Sequence, residues 1–243
     1  MGLSLSEYYR AEGILPGKWH IGAEHPKLEE YALEVLRTLP RARVLEIGFQ
    51  AGGFAVPVIK AMHARPDFLY VGVDSLVYDN AVPGDLIAAY LKSEGITSVY
   101  RFLQTDAQSF LSKSQVEEFD LILIDHFKPL YPEDLLTTVR NGLLSPYGAI
   151  LMHDVLGEAR AVAPLCEVIA RAYGYSWTVT AIVPAGLAVL RRESGLGGHS
   201  ISLFKGIWRG SVVAHILSGR VKRQFGYFWH TVRRRLLPPK SLS

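Results

Sequence analysis

The chain has a single cysteine, Cys166, among its 243 residues. A disulfide within one copy of the chain is therefore impossible, which favours a reducing compartment. No uninterrupted apolar run reaches the roughly 18 to 20 residues that a membrane-spanning helix needs, and the first residues lack the basic and apolar regions of a secretory signal. From these absences we expect a cytoplasmic protein that is neither secreted nor threaded through a membrane.

Acidic residues are absent from the segment 194–243. None of the 23 Asp and Glu side chains lies there, although nine of the 26 Lys and Arg side chains do. A mildly acidic body with a basic tail predicts an anionic partner for the tail rather than for the body. We therefore divide the chain into an N-terminal arm and helix at 1–42, an α/β body at 43–193 and a tail at 194–243.

Short β-rich runs alternate with helical segments across the body. The candidate strands are 43–48, 69–74, 99–104, 119–125, 148–154, 176–183 and 186–192. Helical segments between the first six are 53–63, 82–94, 107–114, 131–143 and 159–173. This alternation predicts a mostly parallel sheet with helices on both faces. Only Pro184 and Ala185 separate the last two runs before Gly186, too few residues for a helical crossover, so these strands must form an antiparallel hairpin.

The N-terminal region contains one clear helical pattern. Residues 26–40 carry apolar side chains on one face, at Leu28, Tyr31, Ala32, Val35 and Leu36. This periodicity predicts a helix that flanks or covers the functional site. Residues 1–25 are rich in glycine and aromatic residues and form an arm without a predicted fold.

The first predicted strand runs into a glycine-containing turn and then a helix, in the stretch RVLEIGFQAGG. Gly48 and Gly52 would permit close approach of backbone N–H groups to a ligand. Dinucleotide enzymes and plain tight turns use the same pattern, so the turn alone leaves the ligand open. Glu46 favours a cation: a carboxylate there suits the amino acid end of S-adenosylmethionine and would repel a pyrophosphate.

Acids also follow the next two strands. Asp74 closes the second strand, where it can accept hydrogen bonds from both hydroxyls of a ribose. Asp106 follows the third strand and could accept a hydrogen bond from an adenine amine, with Gln108 nearby. Each acid alone is explained equally well as an ordinary strand-end cap. Together with Glu46 they place three acids at the carboxyl ends of successive strands, where α/β sheets bind ligands.

The motifs EIGxxxG, VGVDS, TDAQ and FDLILIDHFK resemble those of class I S-adenosylmethionine-dependent O-methyltransferases, over residues 43–192. The stretch 125–155 is similar to catechol O-methyltransferase in particular, with an acid, a histidine, an aromatic residue and a lysine in a row and a second acid at the end of the next strand. The resemblance implies a Rossmann-like sheet of seven strands, S-adenosylmethionine as cofactor and methyl transfer to a hydroxyl.

Asp125 and Asp154 end two neighbouring parallel strands, so we expect their carboxylates to converge and to share one divalent cation such as Mg²⁺. The resemblance implies the same, because these positions are metal ligands in catechol-type relatives. Those enzymes have Asn after the second acid, where this chain has Val155. In macrolide-sugar O-methyltransferases the residue before the second acid is also a metal ligand. The corresponding residue here is His153. A His–Asp–Asp site favours Mn²⁺, Fe²⁺ or Zn²⁺, but His153 is equally consistent with a buried strand residue bonded to a neighbour.

Lys128 occupies the position of the base in both groups of relatives. Burial or a nearby cation can lower the pKa of a lysine into the useful range, and a solvated loop lysine is the alternative. By resemblance, His126 and Phe127 bracket the adenine ring. If Lys128 is not the base, His126 or His153 is the next candidate.

Apolar residues in the tail recur at helical spacing over residues 209–237, flanked by arginines, lysines and aromatic residues. Such a basic amphipathic helix predicts contact with an anionic membrane surface. Docking on the body or on a second copy of the chain is the alternative, whereas nucleic acid is disfavoured because the body is acidic.

Taken together, the sequence predicts a methyltransferase, aided by a divalent metal, whose acceptor is a hydroxyl of a glycan or glycolipid. The alternatives are a small phenol or natural-product acceptor, and an inactive scaffold that Val155 would explain.

Overall fold

The computed structural model describes residues 3–14, 25–77, 82–113 and 118–193. The predicted helix at 209–237 and its partners lie outside these residues. Within the described ranges, no helix is both long and apolar enough to cross a membrane.

The described residues contain seven strands, which form one sheet. They are β1 (Ala42–Ile47), β2 (Phe68–Asp74), β3 (Tyr100–Gln104), β4 (Phe119–Ile124), β5 (Leu144–His153), β6 (Thr178–Thr180) and β7 (Leu187–Arg191). Their order across the sheet is β3-β2-β1-β4-β5-β7-β6. The first five strands are parallel, and β7 runs antiparallel to both β5 and β6. The predicted mostly parallel sheet with a C-terminal antiparallel hairpin is confirmed.

Seven α-helices surround this sheet among the described residues. They are α1 (Leu5–Ala11), α2 (His25–Thr38), α3 (Ala55–Met62), α4 (Gly84–Ser93), α5 (Ala107–Lys113), α6 (Tyr131–Arg140) and α7 (Ala163–Ala172), with a short 3₁₀ helix at Lys128–Leu130 before α6. Every residue of β4 is buried. A continuous buried apolar strand is what a parallel sheet covered on both faces requires.

Several predicted boundaries differ from those observed. Strand β5 begins at Leu144 because its register against β4 shifts between Phe119 and Leu121, which lets four further residues join the sheet. Helix α7 starts only at Ala163, with Pro164 in its first turn, a position where proline is tolerated because its missing N–H has no partner to lose. Residues 181–186 form the hairpin loop, so β6 is shorter than predicted.

The N-terminal arm contains a helix that the sequence did not predict. Ser4 and Glu7 form a capping box that starts α1, since each side chain satisfies a backbone N–H of the other. Tyr9 is fully buried, and its hydroxyl donates a hydrogen bond of 2.7 Å to the carbonyl of Ala51 in the turn after β1. Helix α2 buries Leu28 and Leu36 in the hydrophobic core. The arm therefore packs against the glycine-containing turn.

Candidate active site

The turn after β1 lies against the end of β4. Gly48 has φ 98°, in the left-handed region, and a Cβ there would collide with the carbonyl oxygen of Asp125. Only glycine fits this close approach. Gly52 has φ 73° and lies against Ile87 of α4. A cleft between this turn and the end of β4 is lined by Glu46, Gly48 and Asp125, among others.

Glu46 is buried and lines this cleft. The Tyr70 hydroxyl donates a hydrogen bond of 2.5 Å to its carboxylate. Burial raises the pKa of Glu46 well above its usual range, and the nearby Asp125 and Asp74 carboxylates add to the rise even though the Tyr70 hydrogen bond opposes it. A cation brought into the cleft would favour the ionised carboxylate, so the environment suits a group that binds an ammonium.

Asp74 holds the backbone around the cleft in place. Its two carboxylate oxygens accept hydrogen bonds from the N–H of Gln50 at 2.8 Å and of Leu76 at 2.7 Å. Both of these residues have positive φ, 50° and 52°, an uncommon conformation for side chains of this type. Each oxygen retains a further lone pair, so a contact with ribose hydroxyls is compatible with this role.

Asp106 and Gln108 are held by contacts of their own. Asp106 accepts a hydrogen bond of 3.0 Å from the backbone N–H of Ser109 at the start of α5. The Gln108 amide donates to Asp134 at 2.5 Å and accepts from Thr137 at 3.1 Å, both on α6. Their predicted contacts with adenine remain predictions.

Beyond the ends of β4 and β5, a lysine joins two acids. The Lys128 ammonium lies 2.6 Å from Asp125 Oδ1 and 2.7 Å from Asp154 Oδ2, and these three side chains are between 13% and 18% exposed. The expected convergence of the two carboxylates is thus observed. The Tyr131 hydroxyl, fully buried, lies 3.1 Å from the Lys128 ammonium. Burial alone would lower the pKa of Lys128, but the two carboxylates outweigh it and raise the pKa.

His153 completes the cluster. Its Nδ1 lies 3.1 Å from Asp125 Oδ2 and 3.4 Å from Asp154 Oδ1. Burial alone would lower the pKa of this imidazole, but the hydrogen bond to Asp125 and the two acidic charges raise it. Burial would likewise raise the pKa of Asp125, and the charges of Lys128 and His153 reverse this and lower it strongly.

Asp154 has an unusual backbone. Its φ is 64°, a conformation that costs a non-glycine residue roughly 1–3 kcal/mol. Its carbonyl accepts hydrogen bonds from Gly157 at 2.9 Å and Ala159 at 3.0 Å, which hold the turn after β5. Strain of this kind is often found where a side chain must be held in place for function. Val155 is buried, and its N–H donates to Gly186 in the hairpin loop, so this residue packs the turn.

The donor set fits a divalent cation. Asp125, His153 and Asp154 each offer one ligand atom, and these atoms lie within 4.8 Å of one another. The Nε2 atom of His153 is buried and has no hydrogen-bond partner within the described part of the chain. Two carboxylates and one imidazole are hard and borderline donors of the kind that Mn²⁺, Fe²⁺ and Zn²⁺ accept.

His126 and Phe127 follow Asp125 directly. A Cβ at Gly48 would lie 2.8 Å from the Cβ of His126, so this histidine borders the turn after β1. Its Nε2 lies 2.5 Å from Asp134 Oδ2. The site prediction had given no role to Asp134 or to Tyr131. The sequence did contain a signal for them. Tyr131 and Asp134 recur at helical spacing with Leu135 and Thr138, and all four side chains are buried in α6.

No protein-family model matches the chain, and no curated protein matches it significantly. Solved structures share its fold at low identity. They include SAH-bound methyltransferase PaMTH1 of Podospora anserina, 18% identical over 79% of this chain and 89% of that one, with a TM-score of 0.54. The O-methyltransferase TomG of Streptomyces achromogenes, in complex with SAM, is 19% identical over 77% and 87%, with a TM-score of 0.52.

A third structure widens the chemistry seen on this fold. The precorrin-6y C5,15-methyltransferase of Geobacter metallireducens is 16% identical over 70% of this chain and 80% of that one, with a TM-score of 0.52. Similarity at this level is evidence for the fold and leaves the acceptor open. The chain therefore has the class I methyltransferase fold, as its motifs had indicated.

Proposed function

We propose that the protein transfers a methyl group from S-adenosylmethionine to a hydroxyl. The observation that carries this proposal is the cluster of Asp125, Lys128, His153 and Asp154 beside the glycine-containing turn. Parallel α/β sheets bind ligands at this edge, and Glu46 in the cleft supplies a carboxylate for a cationic cofactor. Next to the cleft lie Lys128, the candidate proton acceptor, and the three side chains that could hold a cation.

The reaction requires the acceptor oxygen to lose a proton as it attacks the methyl carbon. A carbon–oxygen bond forms, the carbon–sulfur bond breaks, and S-adenosylhomocysteine leaves with the electron pair of that bond. Lys128 is our candidate to take the proton, with His126 and His153 as the next candidates. The raised pKa of Lys128 keeps it protonated while both carboxylates face it, so its use as a base requires that their negative charge be offset.

Asp125, His153 and Asp154 would hold a divalent cation, which would offset that charge and favour the deprotonated form of an acceptor hydroxyl. Within the chain, Tyr131 holds the Lys128 side chain in place through its hydroxyl. The strained turn at Asp154 fixes the second carboxylate toward the same point. Together these residues would orient the acceptor so that its hydroxyl proton is transferred to Lys128.

Two classes of acceptor remain. We favour a hydroxyl of a glycan or glycolipid, because the basic, aromatic tail suits an anionic membrane surface at the inner face of the membrane. TomG is involved in tomaymycin synthesis, which supports a small phenol or natural-product acceptor as the second candidate. Flotation with anionic liposomes of the full chain and of a form ending at Glu193 separates them: equal behaviour of the two forms removes the support for a membrane-bound acceptor.

Transfer of a labelled methyl group from S-adenosylmethionine to panels of catechols and of glycolipids, with Mg²⁺ or Mn²⁺, tests the function. Lys128→Ala should lower turnover about 10²- to 10⁴-fold, the usual contribution of a general base. Lys60→Ala is the matched control, since Lys60 also forms an ion pair, with Glu94 at 2.7 Å, but lies on the outer side of α3. Equal turnover of the Lys128 and Lys60 variants rules out Lys128 as the base. Cofactor binding without turnover on any acceptor would favour the scaffold alternative.

A further inference from the structure

One carboxylate near the cleft is fully buried yet has no part in the proposed reaction. Asp134 lies in the first turn of α6 and is 0% exposed. Burying a carboxylate is costly unless it is paired and hydrogen-bonded. An acid at the start of a helix is favoured by the helix dipole, but that benefit is also available at the protein surface. We therefore expect buried side chains that pair with Asp134 and that depend on it for their own position.

Each oxygen of Asp134 has one close neighbour. The Gln108 amide donates to Oδ1 at 2.5 Å, and the other end of this amide accepts a hydrogen bond of 3.1 Å from Thr137. The second oxygen, Oδ2, lies 2.5 Å from Nε2 of His126. Both distances are shorter than the roughly 2.7–2.9 Å of a charge-assisted N–H···O hydrogen bond, so both side chains lie closely against the carboxylate. Gln108 is therefore fixed at both ends and braces the carboxylate against the histidine.

His126 and Asp134 face each other with no competing partner. Nε2 of His126 and Oδ2 of Asp134 are both buried, and neither makes a hydrogen bond of good geometry among residues 3–14, 25–77, 82–113 and 118–193. The two atoms are close enough to bond but the ring N–H is not aligned on the oxygen, so a hydrogen bond between them requires the imidazole to rotate. Leaving a buried donor or acceptor unsatisfied is costly, so the two atoms favour a bond with each other.

His126 connects this pair to the cleft. It follows Asp125 directly, and its Cβ borders Gly48 in the turn after β1. Its ring also lies 5.8 Å from that of Tyr131, tilted by 41°. Tyr131 in turn contacts Lys128. The orientation of this one imidazole therefore bears on both the cofactor cleft and the cluster at the end of β4.

We propose that Asp134, braced by Gln108, is a positioning residue that holds the His126 ring at the edge of the cofactor cleft with its proton on Nε2. A carboxylate oxygen accepts hydrogen bonds, so the imidazole nitrogen that faces it is the one that donates. In a neutral imidazole, Nδ1 is then left as an acceptor. The inference rests on the proposed function, since the ligand that His126 meets is taken to be S-adenosylmethionine.

Asp134→Asn tests the proposal with little change in volume. The Asn oxygen can still accept from Gln108, so its NH₂ group faces Nε2 and the proton should move to Nδ1. Nitrogen NMR of the full chain labelled at histidine reports which ring nitrogen is protonated, and the signals of His126 are assigned from those lost in His126→Asn. We expect a proton on Nε2 in the wild type and on Nδ1 in the variant, with about tenfold weaker binding of S-adenosylhomocysteine.

Asp120→Asn is the matched control. Asp120 is also a buried acid, 1% exposed, but it lies at the other end of β4 and bonds to the backbone of Arg43. This variant should leave both the His126 signals and the affinity for S-adenosylhomocysteine unchanged. Gln108→Ala removes only the brace, and we expect mixed His126 signals and about threefold weaker binding, a result that remains informative if Asp134→Asn does not fold.

Three results separate the possibilities. A proton on Nδ1 of His126 in the wild-type chain overturns the proposal, and so does unchanged binding in a folded Asp134→Asn variant. Failure of the wild-type chain to bind S-adenosylhomocysteine contradicts the proposed function instead. The tautomer measurement requires no ligand, so it still decides whether Asp134 orients His126.

Discussion

The two ends of strand β4 each carry an aspartate, and the two have opposite surroundings. Asp120, at the start of the strand, accepts a hydrogen bond of 3.0 Å from the Arg43 backbone and lies 3.5 Å from the half-exposed Arg41 guanidinium. Asp125, just past the end, faces an ammonium, an imidazole and a second carboxylate. One acid joins neighbouring segments at the base of the sheet, and the other belongs to a concentrated cluster of charge.

The difference shows what separates a structural acid from one placed for chemistry. Asp120 bonds to a backbone N–H and lies near a surface arginine, and among the described residues no side chain beside it has a positive φ. Around Asp125 the chain accepts positive φ at Asp154 and close contact at Gly48, both of which cost stability on their own. Carboxylates brought together repel each other unless cations lie between them. The Asp120 end has a register shift and a close approach of Gly148 to the Asp120 carbonyl, but no positive φ at a side chain. Strained backbone together with converging charges is expected where an edge has a function.

The largest contrast should appear in turnover. Asp125→Asn removes a charge from the cluster and should lower methyl transfer about 10²- to 10³-fold, the size of loss found when one electrostatic contact of a transition state is removed. Asp120→Asn removes a more deeply buried carboxylate at the other end and should leave turnover within about threefold. Comparable losses of turnover in the two variants would show that the cluster around Asp125 has no special role in methyl transfer. Thermal unfolding of both verifies that they are folded.

Binding of a divalent cation should show the same contrast. Asp154→Asn should weaken binding of Mn²⁺ about 100-fold or more, because it removes one of three protein ligands, and Asp120→Asn should not change it. Calorimetric titration with Mn²⁺ measures both. Equal affinities in the Asp154 variant and the wild type would place the ion elsewhere.

The close contact at the edge can be tested through stability. Gly48→Ala combines positive φ with a collision against the Asp125 carbonyl, and should lower the free energy of unfolding by about 2–4 kcal/mol. Gly95→Ala is the matched control, since Gly95 has φ 83° and nothing within 4 Å of a Cβ, and should cost only about 1 kcal/mol. Denaturant unfolding measures both changes. Similar losses would mean that the approach of the turn to β4 is looser than the structure shows.

The smallest effect concerns pH. Because burial raises the pKa of Glu46 above its ordinary value of 4.5, the folded chain holds this proton more tightly than the unfolded chain. The resulting stabilisation is complete below about pH 4.5 and is lost as pH rises through the folded pKa. Glu46→Gln has no such proton to lose, so its free energy of unfolding should decline less above that pH. Parallel curves for the variant and the wild type would argue against a raised pKa.

The sheet and the convergence of Asp125 with Asp154 could be predicted from the sequence, because both follow from local patterns and from the rule that parallel strands end at one edge. The acids at the strand ends could be predicted because each directly follows a predicted strand in the sequence. Asp134 and Gln108 lie 26 residues apart, and nothing in either local pattern pairs them. Tyr9 and Ala51 are 42 residues apart, and α1 is too short for periodicity to reveal it. One short helix and the contacts between distant segments therefore escaped prediction.

Titration of S-adenosylmethionine into the full chain by calorimetry tests the central claim most directly. We predict saturable binding to the wild type with a micromolar Kd, unchanged affinity in Asp120→Asn, and about tenfold weaker binding in Glu46→Gln, which loses the negative charge facing the cofactor's ammonium. A folded wild-type chain that gives no heat of binding up to high micromolar S-adenosylmethionine, with or without Mg²⁺ or Mn²⁺, would contradict the account.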